Sequence, residues 1–166
     1  MKQIDPKNLD QNVFSAIGDQ WMLLTAGDKA KANTMTASWG GMGVLWGKNV
    51  VTVYVRPQRY TYEFMEKGDY FTLAFFDETW RPQLALCGSK SGRDIDKVKE
   101  CGFTLAYGEG DAPYFQEAKL VFVCKKVYFD DMDPAHFVDD SIDGAQYAAK
   151  DYHRMYIGEI VEVLEA

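Results

Sequence analysis

The chain has 166 residues, with 18 Lys and Arg against 25 Asp and Glu, and a formal net charge of −7. Hydrophobic residues make up 47% and charged residues 26%, which is typical of a globular protein and, at this length, predicts a single domain over residues 1–166. The acidic balance excludes a nucleic-acid partner, which needs a basic stripe, and gives no support for binding to an anionic membrane surface.

Short apolar runs rich in β-branched and aromatic residues predict about six or seven strands along the chain, six of which have clear bounds. The glycine-rich stretch 40–43 is predicted to end the second of them. The predicted strands are residues 21–26, 33–39, 50–55, 70–76, 120–129 and 156–164.

Three short helices are predicted between the strands. Residues 61–67 end at Gly68, and residues 79–87 carry Pro82 in their first turn. Residues 94–101 begin at Asp94 as the capping residue and end at Gly102. Because the helices do not alternate regularly with the strands, the pattern disfavours a parallel doubly wound sheet and favours an antiparallel barrel with helical insertions.

The negative charge is concentrated in the second half of the chain. Residues 1–83 hold nine basic and nine acidic side chains, whereas residues 84–166 hold nine basic and sixteen acidic ones. Six of these acids lie between residues 130 and 143, and this stretch is predicted to be a solvated acidic loop. A cation site at Asp130, Asp131 and Asp133 is the alternative, but the Gly and terminal Glu of an EF-hand are missing, so no metal site is predicted.

The three cysteines, Cys87, Cys101 and Cys124, form no CxxC pair and are odd in number. They are predicted to be buried thiols in a reducing, cytoplasmic compartment. The N-terminus has no apolar signal core, and no run of 18 apolar residues is present to span a membrane. Trp46 and Asn49 interrupt the two glycine motifs of nucleotide-binding folds.

Three segments have compositions suited to a polar ligand. Residues 33–39 and the glycines after them would let backbone groups approach a flat ring, or form only a threonine-rich strand and a turn. Residues 56–61 place Arg56 and Arg59 at a strand-to-helix junction suited to a phosphate, or form a solvated turn. Residues 89–94 combine Ser, Gly and two cations before a helix, or form a flexible capping loop. His153 has no recognisable catalytic partner in the sequence.

Taken together, four motifs resemble the flavin reductase-like family, the FMN-binding split barrels that include flavoredoxins. They are NTMTASW at 33–39, RPQRYT at 56–61, SGRDIDK at 91–97 and HRMYIG at 153–158. The resemblance covers residues 13–164. It implies a mainly β fold with helical insertions, a six-stranded antiparallel Greek-key split β-barrel, and a homodimer with FMN near the subunit interface.

The resemblance also implies roles for individual residues. Thr36, Ala37 and Ser38 would contact the polar edge of the flavin ring; Arg56, Arg59 and Thr61 would hold the phosphate; and residues 91–94 would line the ribityl–phosphate side or the ring edge. The full predicted cofactor-binding set is Asn33, Thr34, Met35, Thr36, Ala37, Ser38, Trp39, Arg56, Gln58, Arg59, Tyr60, Thr61, Ser89, Ser91, Gly92, Arg93 and Asp94.

One motif of the family is altered. Flavin reductases commonly carry Gly-Asp-His before the last strand, with the His near flavin and nicotinamide. Here Asp151 and Tyr152 precede His153, while the spacing from His153 to Gly158 is kept. His153 is therefore the one candidate for a catalytic contact, in an altered setting.

The leading functional hypothesis is an FMN-binding oxidoreductase that takes hydride from NAD(P)H and passes electrons to free flavin or another acceptor. Such chemistry needs no acid–base constellation, because the flavin carries the redox step. The first alternative is a flavoredoxin-like FMN electron carrier that is served by a redox partner protein and does not react directly with NAD(P)H. The second is a cofactor-free barrel that acts as an interaction module.

Overall fold

A computed structural model describes residues 1–166 as one large antiparallel sheet with helices packed around it. The strand order in this eight-stranded sheet is β3-β2-β6-β9-β10-β5-β4, and β1 pairs with β10. A separate hairpin contains β7 and β8. The strands are β1 Lys2–Gln3, β2 Met22–Gly27, β3 Ala32–Ala37, β4 Gly40–Leu45, β5 Lys48–Val55, β6 Tyr70–Phe75, β7 Leu105–Tyr107, β8 Pro113–Phe115, β9 Leu120–Asp131 and β10 Arg154–Glu165.

The helices are short and lie in the connections. The α-helices are α1 Val13–Ser15, α2 Tyr60–Lys67, α3 Arg81–Ser89, α4 Lys97–Cys101 and α5 Asp140–Gln146. Further single turns of 3-10 or π-helix are Pro6–Asn8, Ala16–Gln20, Glu78–Trp80, Glu109–Asp111 and Pro134–His136. None of the helices has the length and apolar character needed to cross a bilayer.

The sheet curls around one hydrophobic core, which confirms the predicted barrel-like antiparallel fold. Six strands, β2, β3, β5, β6, β9 and β10, send alternate side chains into this core. Met22, Leu24 and Ala26 face it from β2, whereas Leu23 faces a second cluster on the outside. Residues of β2 are therefore buried on both faces, which explains why this strand is a continuous apolar run rather than an alternating one.

The second cluster holds helices α3 and α4 against the outside of the sheet. Leu84 and Cys87 of α3, Cys101 of α4 and Phe103 pack there against β6 and β9. Helix α3 also lies on the edge strand β3, where the Thr36 hydroxyl donates to the Leu84 carbonyl. This contact holds the middle of α3 beside the polar end of β3.

The structure corrects three predictions of local structure. The second predicted strand ends before Gly40, as expected, but the stretch 40–43 is not only a turn: it begins the edge strand β4. This strand pairs with β5, and a Cβ atom at Gly40 would lie 2.8 Å from the Thr52 carbonyl oxygen. Helix α4 begins at Lys97 rather than at Asp94, since the Asp96 carboxylate caps it by accepting from the Lys99 N–H.

The third correction concerns the acidic stretch. It is not a single solvated loop: Asp130 and Asp131 lie in β9, and residues 140–143 begin α5. Asp131 pairs with Arg154 of the neighbouring strand β10 at 2.7 Å, so part of the negative charge is balanced across the sheet. Within the whole chain no cluster of three metal-ligating side chains is formed.

Candidate functional site

Two adjoining cavities lie where β3, the start of α2 and the end of α3 meet. The first, called here the strand cavity, has a volume of about 190 Å³ and follows the end of β3. Its walls are Met35, Thr36, Ala37, Ser38, Trp39, Tyr54, Arg56, Arg59 and His153. The structure thus brings together three segments that are far apart in the sequence: 35–39, 54–59 and residue 153.

The second cavity, called here the cradle, has a volume of about 130 Å³ and lies between α2 and the loop after α3. Its walls are Asn33, Met35, Gln58, Arg59, Tyr60, Thr61, Gly88, Ser89, Lys90, Ser91, Gly92 and Lys97. Met35 and Arg59 line both cavities. A ligand with a flat part and a compact polar tail would therefore span the two.

Arg59 is the central charged group of the site. Its Nη1 donates to the Gly88 carbonyl at 3.0 Å, while Nη2 is buried and has no partner. Burial lowers the pKa of this guanidinium, because the charged form loses hydration. An unpaired buried N–H of a cation is costly, so the geometry favours an anionic ligand at Nη2.

The N-terminus of α2 adds backbone donors at the same place. Arg59 is the residue that precedes the helix, and no side chain caps it. The first N–H groups of a helix lack internal partners and carry a partial positive charge, so they stabilise an anion. Thr61, in the first turn, is buried, and its hydroxyl accepts from Asn33 Nδ2 at 2.8 Å, which leaves its own proton free to donate.

Gly92 closes the opposite wall of the cradle. A Cβ atom at this position would lie 1.9 Å from Asn33 Oδ1 and 3.1 Å from the Tyr60 ring. Only glycine therefore lets the 89–92 loop approach β3 and α2 this closely.

Lys97 is a site residue that the sequence analysis missed. Its side chain is buried, and Nζ donates to the carbonyls of Thr34 at 2.8 Å and Cys87 at 2.7 Å. Burial, together with the charge of Arg59, lowers the pKa of Lys97 to about 8. Neither cation forms a salt bridge with a carboxylate, and neither does the exposed Lys90 in the same wall, so the cradle holds three positive groups without a counter-ion.

Arg56 occupies a different position from Arg59. It forms a salt bridge with Asp151 at 2.7 Å, donates to the Gln146 carbonyl at 2.8 Å and lies over the Tyr147 ring. Gln58 also donates to Asp151. Arg56 lines the strand cavity but not the cradle, so the structure separates the two arginines that the sequence placed together on a phosphate.

The residues of the 89–94 loop are only partly gathered at the site. Arg93 is outside the cradle, where it pairs with Glu63 and donates to the Gln58 carbonyl at 3.1 Å. Asp94 and Arg93 line a neighbouring cavity of about 420 Å³ instead. Ser91 lines the cradle and accepts from the Arg93 N–H, while Ser89 donates to the Ala85 carbonyl of its own helix.

His153 forms one wall of the strand cavity. Its Nδ1 lies 2.8 Å from the Tyr147 hydroxyl, and its ring packs on Trp39 with centroids 5.2 Å apart. Burial and the nearby Arg56 charge lower the pKa of His153 to about 4, so the ring is neutral at pH 7. It therefore offers the cavity a neutral, partly apolar surface.

Titration of His153 is expected to make the protein less stable in acid. Its folded pKa of about 4 is below the unfolded value of 6.5, so the unfolded state takes up the proton first as the pH falls. The free energy of unfolding should therefore drop by about 2 kcal/mol between pH 6.5 and pH 4, after allowance for solvent screening. Urea unfolding of wild type and His153→Gln across this range would measure the difference; parallel curves would contradict it.

Comparisons with known proteins agree with this architecture. The model of the flavin reductase like domain matches residues 14–166, so the chain belongs to this family. Comparison with curated protein sequences found no match.

Several solved structures share the fold. Flavoredoxin from Methanosarcina acetivorans is 23% identical, with a TM-score of 0.69 over 100% of this chain and 75% of that one. Flavoredoxin of Desulfovibrio vulgaris (Miyazaki F) is 22% identical, with a TM-score of 0.70 over 98% and 77%. The FMN-binding protein from Thermus thermophilus, solved with bound p-hydroxybenzaldehyde, is 17% identical, with a TM-score of 0.70 over 100% and 82%.

Proposed function

We propose that this member of the flavin reductase-like family binds FMN in the two adjoining cavities and acts as an oxidoreductase that accepts hydride from NAD(P)H. The observation that carries the proposal is Arg59, which lines both cavities and has a buried Nη2 without a hydrogen-bond partner. Its need for an anion fits the phosphate of FMN. The structural relatives described as FMN-binding proteins and flavoredoxins support the same ligand.

The residues of the cradle fit the phosphate end of FMN. Arg59 and Lys97 would supply two positive charges, Thr61 a hydroxyl donor, and the start of α2 backbone N–H groups. The two cations that hydrogen bonds hold in place, Arg59 and Lys97, match the charge of a phosphate monoester, which is close to −2 at neutral pH. An acidic protein therefore keeps a locally positive place for this one anion.

The residues of the strand cavity fit the isoalloxazine ring. Thr36, Ala37 and Ser38 would place backbone and hydroxyl groups along its polar edge, and Trp39 would pack against it. Donors near the ring stabilise the negative charge that develops when a flavin is reduced. When bound, FMN supplies the hydride-accepting chemistry, and the protein supplies binding and orientation.

His153 would contribute through position rather than through proton transfer. Because its pKa is lowered to about 4, it holds no proton to donate as imidazolium at neutral pH. A neutral ring beside Trp39 and Tyr54 provides a surface on which a nicotinamide packs without charge repulsion. We assign it as the nicotinamide- and flavin-contacting residue of the site.

Spectroscopy tests this function directly. The purified protein mixed with FMN and desalted should keep a flavin absorption band, and anaerobic NADH or NADPH should bleach it within seconds. A protein that retains FMN but is not bleached by either nucleotide would contradict the hydride step. A protein that stays colourless would contradict flavin binding and would favour a cofactor-free interaction module.

A flavoredoxin-like electron carrier is the second candidate function. The altered residues before His153 favour it: Asp151 is committed to Arg56 and Gln58, so the approach to the strand cavity differs from the Gly-Asp-His pattern of reductases. The exposed carboxylates of Asp139 and Asp140, at the start of α5, would then suit a basic redox partner protein. Slow bleaching by NAD(P)H, with fast reduction by a low-potential electron donor, would identify the carrier.

We also infer a homodimer, because an apolar hairpin tip is exposed beside the sheet. Val44 and Trp46 of the β4–β5 hairpin are exposed to solvent. The rings of Trp46 and Tyr128 of β9 meet edge-on, with their centroids 6.2 Å apart. Trp46 also holds a φ of +53° in the two-residue turn, which is strained for a bulky side chain.

Three buried, unpaired cysteines are consistent with a reducing, cytoplasmic location.

Trp46→Glu is expected to dissociate the dimer, because the substitution would bury a charge in an apolar interface. Light scattering after size-exclusion chromatography should give twice 18.9 kDa for wild type and 18.9 kDa for the variant. Trp46→Phe, the conservative control, should remain a dimer. A monomeric wild-type protein would contradict the interface.

A further inference from the structure

Two buried cysteines that the proposed function does not use lie in contact beside the cradle. Cys87 of α3 and Cys101 of α4 have their sulfur atoms 3.7 Å apart, although 14 residues separate them in the chain. Both side chains are buried in the second cluster. The third cysteine, Cys124, lies in β9 within the barrel core and belongs to the other cluster.

The two thiols differ in their exposure. Burial raises the pKa of both, and that of Cys87 to about 12. Cys101 is 7% exposed whereas Cys87 is fully buried, so peroxide reaches the Cys101 sulfur first, and Cys87 is placed to react with it next.

The backbone of this pair supports both cations of the cradle. The Cys87 carbonyl accepts from Lys97 Nζ at 2.7 Å, and the next carbonyl, that of Gly88, accepts from Arg59 Nη1 at 3.0 Å. Lys97 itself is the first residue of α4, the helix that carries Cys101. A change in the distance between α3 and α4 therefore acts directly on the two charged groups.

We propose that Cys87 and Cys101 form a reversible disulfide on exposure to hydrogen peroxide, and that this bond weakens ligand binding in the cradle. The sulfur atoms must close from 3.7 Å to about 2.05 Å, the length of a disulfide. This approach draws α3 and α4 together and displaces the carbonyls that hold Lys97 and Arg59. The weakening of ligand binding rests on the proposed function, which assigns the cradle to the phosphate of FMN.

The chemistry balances with peroxide as the only oxidant. The Cys101 thiolate attacks one peroxide oxygen, the O–O bond breaks, and the leaving hydroxide takes a proton to give water and a sulfenic acid. The Cys87 sulfur then attacks the Cys101 sulfur, the S–O bond breaks, and the Cys87 proton leaves with the oxygen as a second water. Two thiols lose two electrons, and one peroxide is reduced to two waters.

Mass spectrometry tests the bond itself. The fully reduced wild-type protein, treated with hydrogen peroxide and quenched, should lose the mass of two hydrogens and yield a peptide pair that joins Cys87 to Cys101. Cys124→Ala, the matched control, should behave like wild type, and Cys101→Ala should show no loss of two hydrogens. An unchanged mass, only added oxygen, or a bond that includes Cys124 would overturn the proposal.

Peptide mapping of the wild-type protein detects the bond without any substitution, so the test does not depend on the stability of a variant.

Fluorescence titration with FMN then tests whether the disulfide weakens ligand binding. The oxidised protein should bind FMN roughly tenfold more weakly than the reduced protein, as expected when a charged hydrogen bond is displaced. The same peroxide treatment should leave the affinity of Cys101→Ala unchanged.

Equal affinities of the reduced and oxidised wild-type protein would overturn the coupling. Absence of FMN binding by the reduced protein would overturn the proposed function instead, while the mass measurement would still decide the disulfide.

Discussion

Replacing Arg59 with alanine is expected to weaken FMN binding by about 1.5–3 kcal/mol, which is a factor of roughly ten to 150. The side chain lines both the strand cavity and the cradle, and its buried Nη2 has no hydrogen-bond partner. Removing it takes away the charged donor that an anion would meet there. Quenching of FMN fluorescence during titration measures the change.

The neighbouring arginine provides a matched control. Arg93 carries the same charge close by, but it pairs with Glu63 and does not line the cradle. Arg93→Ala should therefore change FMN affinity by less than about twofold, as expected for an exposed ion pair. Equal losses in both variants would show that general positive charge, rather than the position of Arg59, determines binding.

Gly158→Ala is expected to lower the free energy of unfolding by about 3 kcal/mol, the upper part of the range for overpacking a core. A Cβ atom at this position of β10 would lie 2.5 Å from Phe71 Cζ and 2.9 Å from Cys124 Cβ. Phe71 is completely buried, so its ring has no free space into which it can move. Urea denaturation followed by circular dichroism measures the loss.

Two further variants separate this clash from the general effect of replacing a glycine in a strand. Gly43 lies in β4 of the same sheet, and a Cβ atom there would meet nothing within 4 Å. Gly43→Ala should change stability by less than about 1 kcal/mol. Adding Phe71→Leu to Gly158→Ala should restore part of the loss, because the shorter side chain leaves room for the methyl group. Failure of both expectations would contradict the packing explanation.

Most strands could be predicted from the sequence because their apolar residues are buried by the sheet itself. The run Val50–Val55 lies inside β5, and the run from Leu120 lies inside β9. The strand at Gly40–Gly43 could not be predicted, since glycine has low strand propensity and is required there by close packing against Thr52. The true cap of α4 at Asp96 was missed because Asp94, two residues earlier, has the same capping chemistry.

The segments that form the candidate site could be predicted from the sequence, but the separate roles of their residues could not. Arg56 and Arg59 have identical chemistry and lie three residues apart, so only the tertiary structure shows that Asp151 neutralises one and leaves the other unpaired. Lys97 belongs to the SGRDIDK motif, yet a lysine on a short helix is ordinarily solvated. Its burial depends on two carbonyl acceptors, from β3 and α3, that no sequence pattern reveals.

The cradle is locally positive although the second half of the chain is strongly acidic. No acidic side chain lines the cradle, and two acids of the second half, Asp131 and Asp151, are each paired with an arginine. Arg59 and Lys97 are left as a local pair of positive charges in a chain of net charge −7. An acidic protein can therefore hold an anion at one defined place.

A parallel titration of the wild-type protein with FMN and riboflavin tests most directly whether the cradle recognises the phosphate of FMN. The two ligands share the isoalloxazine ring and the ribityl chain and differ only in the phosphate. FMN should bind at least about thirtyfold more tightly, since the phosphate would meet Arg59, Lys97 and a helix N-terminus. Equal affinities for FMN and riboflavin would contradict recognition of the phosphate by the cradle.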